Sequence, residues 1–159
     1  SFAEADNNIY RFAIRSAIRL APLLNDGLCD GIYLRNDKIG KQALARIAFG
    51  VLQATRSRIT QTEYIACPGC GRTQYDLETA LDRVKQATSH LKGLKIAVMG
   101  SIVNGPGELA DADYGYVGQG NGRVALYKGQ TLMKKNIAEQ DAINELIDLL
   151  KAENQWKYP

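Results

Sequence analysis

Two short stretches hold the residues able to do chemistry. They are Cys67-Pro68-Gly69-Cys70-Gly71-Arg72 and Gly100-Ser101-Ile102-Val103-Asn104-Gly105-Pro106-Gly107-Glu108. The first offers two thiols three positions apart, the second an amide and a carboxylate, and thiolates and carboxylates are both metal ligands. Read alone, Cys-x-x-Cys leaves several chemistries open. Structural zinc needs a second Cys/His pair, and only Cys29 and His90 remain, at unsuitable places. A dithiol enzyme starts a helix at the motif, so that the helix N-terminus lowers the thiol pKa. Here Gly71 to Tyr75 intervene before a cap at Asp76, which weakens the dithiol reading without removing it. The second stretch is a stiff, irregular turn whose glycines and proline fix its path. By itself it is equally a tight connection that ends in an acid.

The elements around these stretches follow from hydrophobic spacing. Tyr64-Ile65-Ala66, within a strand predicted over Thr62 to Ala66, leads into the cysteines, and a strand over Leu94 to Met99 leads into the second stretch. Between them Asp76 caps a helix carrying Leu77, Leu81, Val84, Ala87 and Leu91. His90 lies at the end of that helix, where satisfying terminal carbonyls is favoured over a ligand role. Short strands are predicted over Tyr114–Val117 and Arg123–Tyr127, joined by a longer hairpin loop through 118–122. Glycines there carry little phosphate-binding weight, since no helix follows them. Asn136 is predicted to cap the last helix, with Glu139 completing a capping box, and Ile143, Leu146, Ile147 and Leu150 as its core stripe. The tail, Gln155 to Pro159, is aromatic.

Upstream, Asn8 to about Leu24 reads as a helix, Leu28 to Arg35 as a strand and Ile39 to Thr55 as a second helix. Arg11, Arg15 and Arg19 recur on one face of the first helix. That stripe could dock a phosphate, but a solvated or interface face is favoured. Cys29, with no ligand-type neighbour, reads as a small buried hydrophobe. Residues 56–61 are the natural seam, dividing the chain into 1–58 and 59–159. Helix, strand and helix on short links, then further strands, give an α/β (α+β) class with a C-terminal mixed sheet, helices on one face and both motif loops at one end.

Composition narrows the function classes. A hydrophobic content of 45% and a charged content of 23% fit an ordinary soluble globular chain. The net charge of +3 permits an anionic ligand, but without a dense Lys/Arg block no nucleic-acid partner is expected. No apolar run approaches the ~20 residues of a membrane span. Three cysteines, two of them close together, do not make a secreted disulfide framework, so a reducing cytoplasm is the expected compartment. The chain starts in mid-pattern without Met, at Ser1-Phe2-Ala3, and is expected to be a piece of a longer protein.

Taken together, Cys67-Pro-x-Cys70-x-Arg72, an apolar strand, and then Gly-x-x-Val-Asn104-Gly-Pro-Gly-Glu108 resemble the C-terminal domain of the 4-hydroxy-3-methylbut-2-enyl diphosphate synthase (IspG/GcpE) family, over about residues 59–153. The resemblance implies a [4Fe–4S] cluster held by three cysteines and one glutamate. Carried over, the ligands are Cys67, Cys70 and Glu108, with Ser101 where the third cysteine belongs. Asn104 matches a substrate-binding, catalytic position beside the cluster, and Arg72 is placed to tune cluster charge or meet a partner domain. The implied fold is sulfite/nitrite-reductase-like. Residues 1–58 would be the end of a preceding barrel-like domain. Its strand at Ile32-Tyr33-Leu34-Arg35 lacks the family's Arg-x-Ser pattern, so no substrate contact is assigned there.

The implied reaction is reductive opening and dehydration of 2-C-methyl-D-erythritol 2,4-cyclodiphosphate in non-mevalonate isoprenoid biosynthesis. Ferredoxin or flavodoxin would supply the electrons, within a homodimer whose cluster domain caps a partner's barrel. Ser101 departs from the pattern. A serine hydroxyl is a harder, far less acidic donor than a thiol, so the expected cluster is labile, incomplete or absent, and the fragment inactive alone. Two rivals stand beside this reading. One is a glutaredoxin-like dithiol oxidoreductase using Cys67 and Cys70; the other is a non-catalytic interaction domain.

Overall fold

The structure, a computed structural model, describes residues 2–3 (backbone), 7–67, 75–101, 107 and 109–158. The chain divides into two compact units, Ser1–Thr60 and Gln61–Pro159.

In the first unit β1 (Phe2–Ala3) pairs in parallel with β2 (Leu34–Arg35), and α1 (Ile9–Asn25) packs with α2 (Lys41–Ala54). Asn8 starts α1, its side-chain oxygen accepting from the backbone N–H groups of Tyr10 and Arg11 at 3.1 and 3.0 Å, which satisfies two orphan donors of the first turn. Phe12, Leu20 and Leu24, at helical spacing, meet Leu34, Ile39 and Val51 in this unit's core. Arg11, Arg15 and Arg19 lie on the exposed face of α1. The strand predicted over Leu28 to Arg35 shrinks to its last two residues. A strand needs a ladder partner, and among the described residues Phe2 and Ala3 are the positions that supply one. Half-buried Cys29 packs against this core, as a small hydrophobe would.

The second unit is a five-stranded mixed sheet in sequence order, β3 (Glu63–Cys67), β4 (Lys95–Met99), β5 (Tyr114–Gly120), β6 (Arg123–Lys128) and β7 (Thr131–Ala138). The first three strands are parallel and the last two add antiparallel. Helix α3 (Leu77–Thr88) makes the β3-to-β4 crossover that parallel pairing requires, and α4 (Ala142–Ala152) follows β7. Alternation along the strands assigns the faces. Ile96, Val98, Tyr116, Val124 and Leu126 point to the helices, meeting Val84 of α3 and Leu146 and Leu150 of α4. Ala97, Met99, Val117 and Ala125 point the other way, under Leu109 and Ala112. The expected mixed sheet with helices on one face is present. Among the described residues no helix is long and apolar enough to cross a membrane.

Three local expectations change. The predicted cap at Asn136 fails, because Asn136 lies within β7, at φ 60°, a left-handed conformation that Asn tolerates. Its N–H is held by the Gln119 side-chain oxygen at 2.7 Å. The last helix starts after Asp141, without a side-chain cap, so Glu139 completes no capping box. β7 carried no burial signal because its first six residues are exposed. The hairpin loop is also shorter than predicted. β5 runs on to Gly120, and Asn121 (φ 51°) with Gly122 (φ 65°) forms a two-residue turn of the kind that matches strand twist. Finally, His90 does not serve the α3 carbonyls. The buried Thr62 hydroxyl bonds Thr88 O at 2.8 Å and Leu91 O at 2.7 Å. The His90 ring instead bonds Lys157 O at 2.7 Å and sits edge-on to Trp156, centroids 5.0 Å apart, docking the aromatic tail.

Candidate metal centre at the carboxyl edge of the sheet

Sheet register puts one sequence-predicted position beside the strand end that leads to another. Cys67, the last residue of β3, is the partner of Met99, the last residue of β4. Ser101 stands two residues beyond Met99. Both Cys67 and Ser101 are half-buried, and the Cys67 side chain packs with Met99 on the sheet face opposite the helices. Met99 in turn pairs with Val117 of β5, which runs three residues further to Gly120, so β3 and β4 end at this edge alongside the continuing third parallel strand. Parallel sheets place their ligands at such an edge, because the loops leaving the strands gather there. Cys70, Arg72, Asn104 and Glu108 lie outside the described residues. Among the described residues no three His, Cys, Asp or Glu side chains cluster to hold a metal ion.

Two anchors at this edge escaped the sequence analysis. Tyr75 follows the cysteine loop. Its hydroxyl donates to Met99 O at 2.7 Å, and its ring lies tilted against Tyr116, centroids 6.4 Å apart. Burial pushes the Tyr75 phenol well above its ordinary pKa, with the nearby Tyr116 and Glu139 adding to the shift. Burial pushes Tyr116 up to about 12. Both rings stay neutral, and Tyr75 stays a donor, across the physiological range. The ring fits because residue 118 is glycine: a Cβ there would stand 2.3 Å from Tyr75 Cε1 and 2.7 Å from Gly100 O. Leu109, the residue after Glu108, is fully buried on the opposite face. It sits over Gly115, where a Cβ would stand 2.6 Å from Leu109 Cδ2. The available signal was a pair of glycines inside the strand pattern Tyr114-Gly-Tyr-Val-Gly118, since a glycine there marks close approach by another group.

A family model described as the GcpE protein C-terminal domain matches residues 63–152. The chain belongs to this family. The GcpE C-terminal domain match takes in the whole five-stranded sheet, α3 and α4, together with both motif loops. Relatives named 4-hydroxy-3-methylbut-2-en-1-yl diphosphate synthase (flavodoxin) are similar beyond it. The Parabacteroides distasonis protein is 54% identical over 155 residues, covering 98% of this chain and 25% of the relative. The Bacteroides thetaiotaomicron protein is 53% identical over 148 residues, covering 92% and 24%. The Leptospira interrogans protein is 46% identical over 160 residues, covering 100% and 24%. The chain therefore spans about a quarter of the length of these relatives.

An iron–sulfur cluster asks for soft donors converging on one point. The Cys67 thiol, fixed by sheet pairing, meets that demand. The Ser101 hydroxyl on the adjacent strand's exit does not, being a hard donor that holds its proton at neutral pH. The donor chemistry of the described residues thus suits such a cluster at Cys67 and does not suit it at Ser101.

Proposed function

We propose that the second unit is the cluster-binding domain of a reductase that converts 2-C-methyl-D-erythritol 2,4-cyclodiphosphate to 4-hydroxy-3-methylbut-2-enyl diphosphate. The observation that supports it is the Cys67–Met99 pairing, which puts the first thiol beside the exit that carries residue 101. Cys67, Cys70 and Glu108 would hold a [4Fe–4S] cluster, with Ser101 in the weak fourth place. When bound, such a cluster supplies electrons one at a time and one iron open to a substrate oxygen. Asn104 would hydrogen-bond the substrate, and Arg72 would tune the cluster's charge or meet a partner domain. The first unit would be the end of a preceding barrel-like domain. The relatives' names support flavodoxin as the electron donor, with ferredoxin the alternative. The full-length protein would work as a cytoplasmic homodimer.

Anaerobic reconstitution followed by visible spectroscopy tests this reading. The Ser101→Cys chain is expected to develop the broad brown absorbance of a cluster, and Cys67→Ser in that background to abolish it. A metal-free chain that reduces a model disulfide, and loses that activity on Cys67→Ser, would instead mark a dithiol oxidoreductase. A chain that takes up no iron and reduces no disulfide would mark a non-catalytic interaction domain.

A further inference from the structure

Strand β4 ends at Met99, which is paired on both sides, with Cys67 of β3 and Val117 of β5. The next two residues, Gly100 and Ser101, belong to no strand or helix. Gly100 has no Cβ, so it is the joint at which the chain could turn most freely before residue 101. Two contacts from outside β4 hold that joint.

The first is the Tyr75 hydroxyl, which donates to Met99 O at 2.7 Å. A peptide group is planar, so orienting the Met99 carbonyl also orients the Gly100 N–H and the direction in which the chain leaves the sheet. The second contact is Gly118. A Cβ there would stand 2.7 Å from Gly100 O, so that carbonyl is seated against the bare α-carbon of β5. Gly100 O shares its peptide group with the Ser101 N–H. Both peptide planes between the ladder and residue 101 are therefore held. The two contacts also meet in one place, because the Tyr75 ring shares the seat at Gly118. Tyr75 lies outside any strand or helix, and its tilt on Tyr116 anchors the ring there.

We propose that Tyr75 is a positioning residue for residue 101, its hydroxyl fixing the turn out of β4 and so the spacing between that side chain and the Cys67 thiol. This rests on the cluster-domain reading above, but its test does not need metal. In a Cys29→Ala, Cys70→Ser background, Ser101→Cys leaves two thiols, that of Cys67 and the new one. The metal-free chain is treated with dibromobimane, which fluoresces once it has bridged two thiols. A parallel sample receives the one-armed monobromobimane, which reports thiol reactivity without spacing.

Tyr75→Phe keeps the ring and removes the hydroxyl. It is expected to slow bridging by roughly three- to ten-fold, the change in equilibrium that follows losing one such hydrogen bond. Monobromobimane labelling should be unchanged. Thr62→Val, which strips a buried hydroxyl from the Thr88 and Leu91 carbonyls just ahead of β3, controls for lost stability and should bridge at the parent rate. The proposal is overturned if Tyr75→Phe bridges at the parent rate, or if it slows monobromobimane labelling equally. It is also overturned if Thr62→Val slows bridging as much, or if the thiols are not bridged even with Tyr75 present. Failure of the cluster reading has a separate signature, a Ser101→Cys chain that bridges as expected but takes up no iron.

Discussion

Gly118→Ala probes the closest packing at the candidate site, and its cost can be worked from the geometry. The new methyl would stand 2.3 Å from Tyr75 Cε1, 2.8 Å from Tyr75 Cδ1 and 2.7 Å from Gly100 O. The ring can swing away only by giving up its hydrogen bond to Met99 O. Gly100 O is backbone and moves only with the end of β4. Overpacking of this kind costs about 1–3 kcal/mol, and the lost hydrogen bond adds about 0.5–1.5 kcal/mol. A reduced unfolded-state entropy returns about 0.4–1 kcal/mol, as for any Gly→Ala change at a compatible backbone. The net expectation is a loss of about 2–3 kcal/mol. For a unit the size of Gln61–Pro159, that lowers the melting temperature by roughly 10–20 °C.

The assay is urea unfolding followed by tryptophan fluorescence. Trp156 is the one tryptophan in the chain and packs against the helix-side core, so the signal reports the second unit alone. Gly118→Ala with Tyr75→Ala should lose less than the two single changes added together, by about 1 kcal/mol, because the ring clash disappears while the Gly100 O clash remains. A Gly118→Ala chain within about 0.5 kcal/mol of the parent would refute the close packing of Tyr75 on β5.

Other perturbations follow from the same contacts. Gly115→Ala meets only the rotatable tip of Leu109 at 2.6 Å, with Tyr127 Cβ at 3.3 Å, and should cost about 1 kcal/mol in the same unfolding assay. Leu109→Ala, at a fully buried site, should lose about 2–5 kcal/mol of unfolding free energy. Thr62→Val strips the hydroxyl from the Thr88 and Leu91 carbonyls and should destabilise by about 1–3 kcal/mol in urea. The Asp76 carboxyl is held below its ordinary pKa chiefly by the Thr79 side chain and N–H. Its contribution is therefore present above the ordinary carboxylate pKa and lost as pH falls through the depressed value. Asp76→Asn keeps a capping oxygen without the titration, so its urea midpoint should fall less steeply with acid than that of the parent.

Much of this architecture is written in burial periodicity. The parallel strands ending at Cys67 and Met99, and the helix between them, are legible because their apolar residues face two packed layers, or one, at regular spacing. The Asp76 cap is legible because a short acidic side chain before an apolar-periodic run has one favourable use. β7 is different: Thr131 to Asn136 is exposed, so its pairing with β6 is carried by backbone hydrogen bonds that leave no hydrophobic pattern. Asn136 misleads for a related reason, since Asn suits both a helix cap and a left-handed strand position. At the candidate site, residue types announced Cys67 and Ser101. The register that sets Cys67 beside Met99, and the ring of Tyr75 over Gly118, are tertiary facts. The placement expected for Cys70, Arg72, Asn104 and Glu108 lies outside the described residues.

The claim on which the rest depends is that this edge of the sheet is built for a four-iron cluster and lacks one thiolate. Iron and acid-labile sulfide, measured per chain after anaerobic reconstitution and desalting, test it in a single comparison. The account predicts about four of each for the Ser101→Cys chain and clearly fewer, released readily to a chelator, for the chain with Ser101. Equal iron in both chains would show that residue 101 is not a ligand position, and no iron in either would remove the cluster altogether.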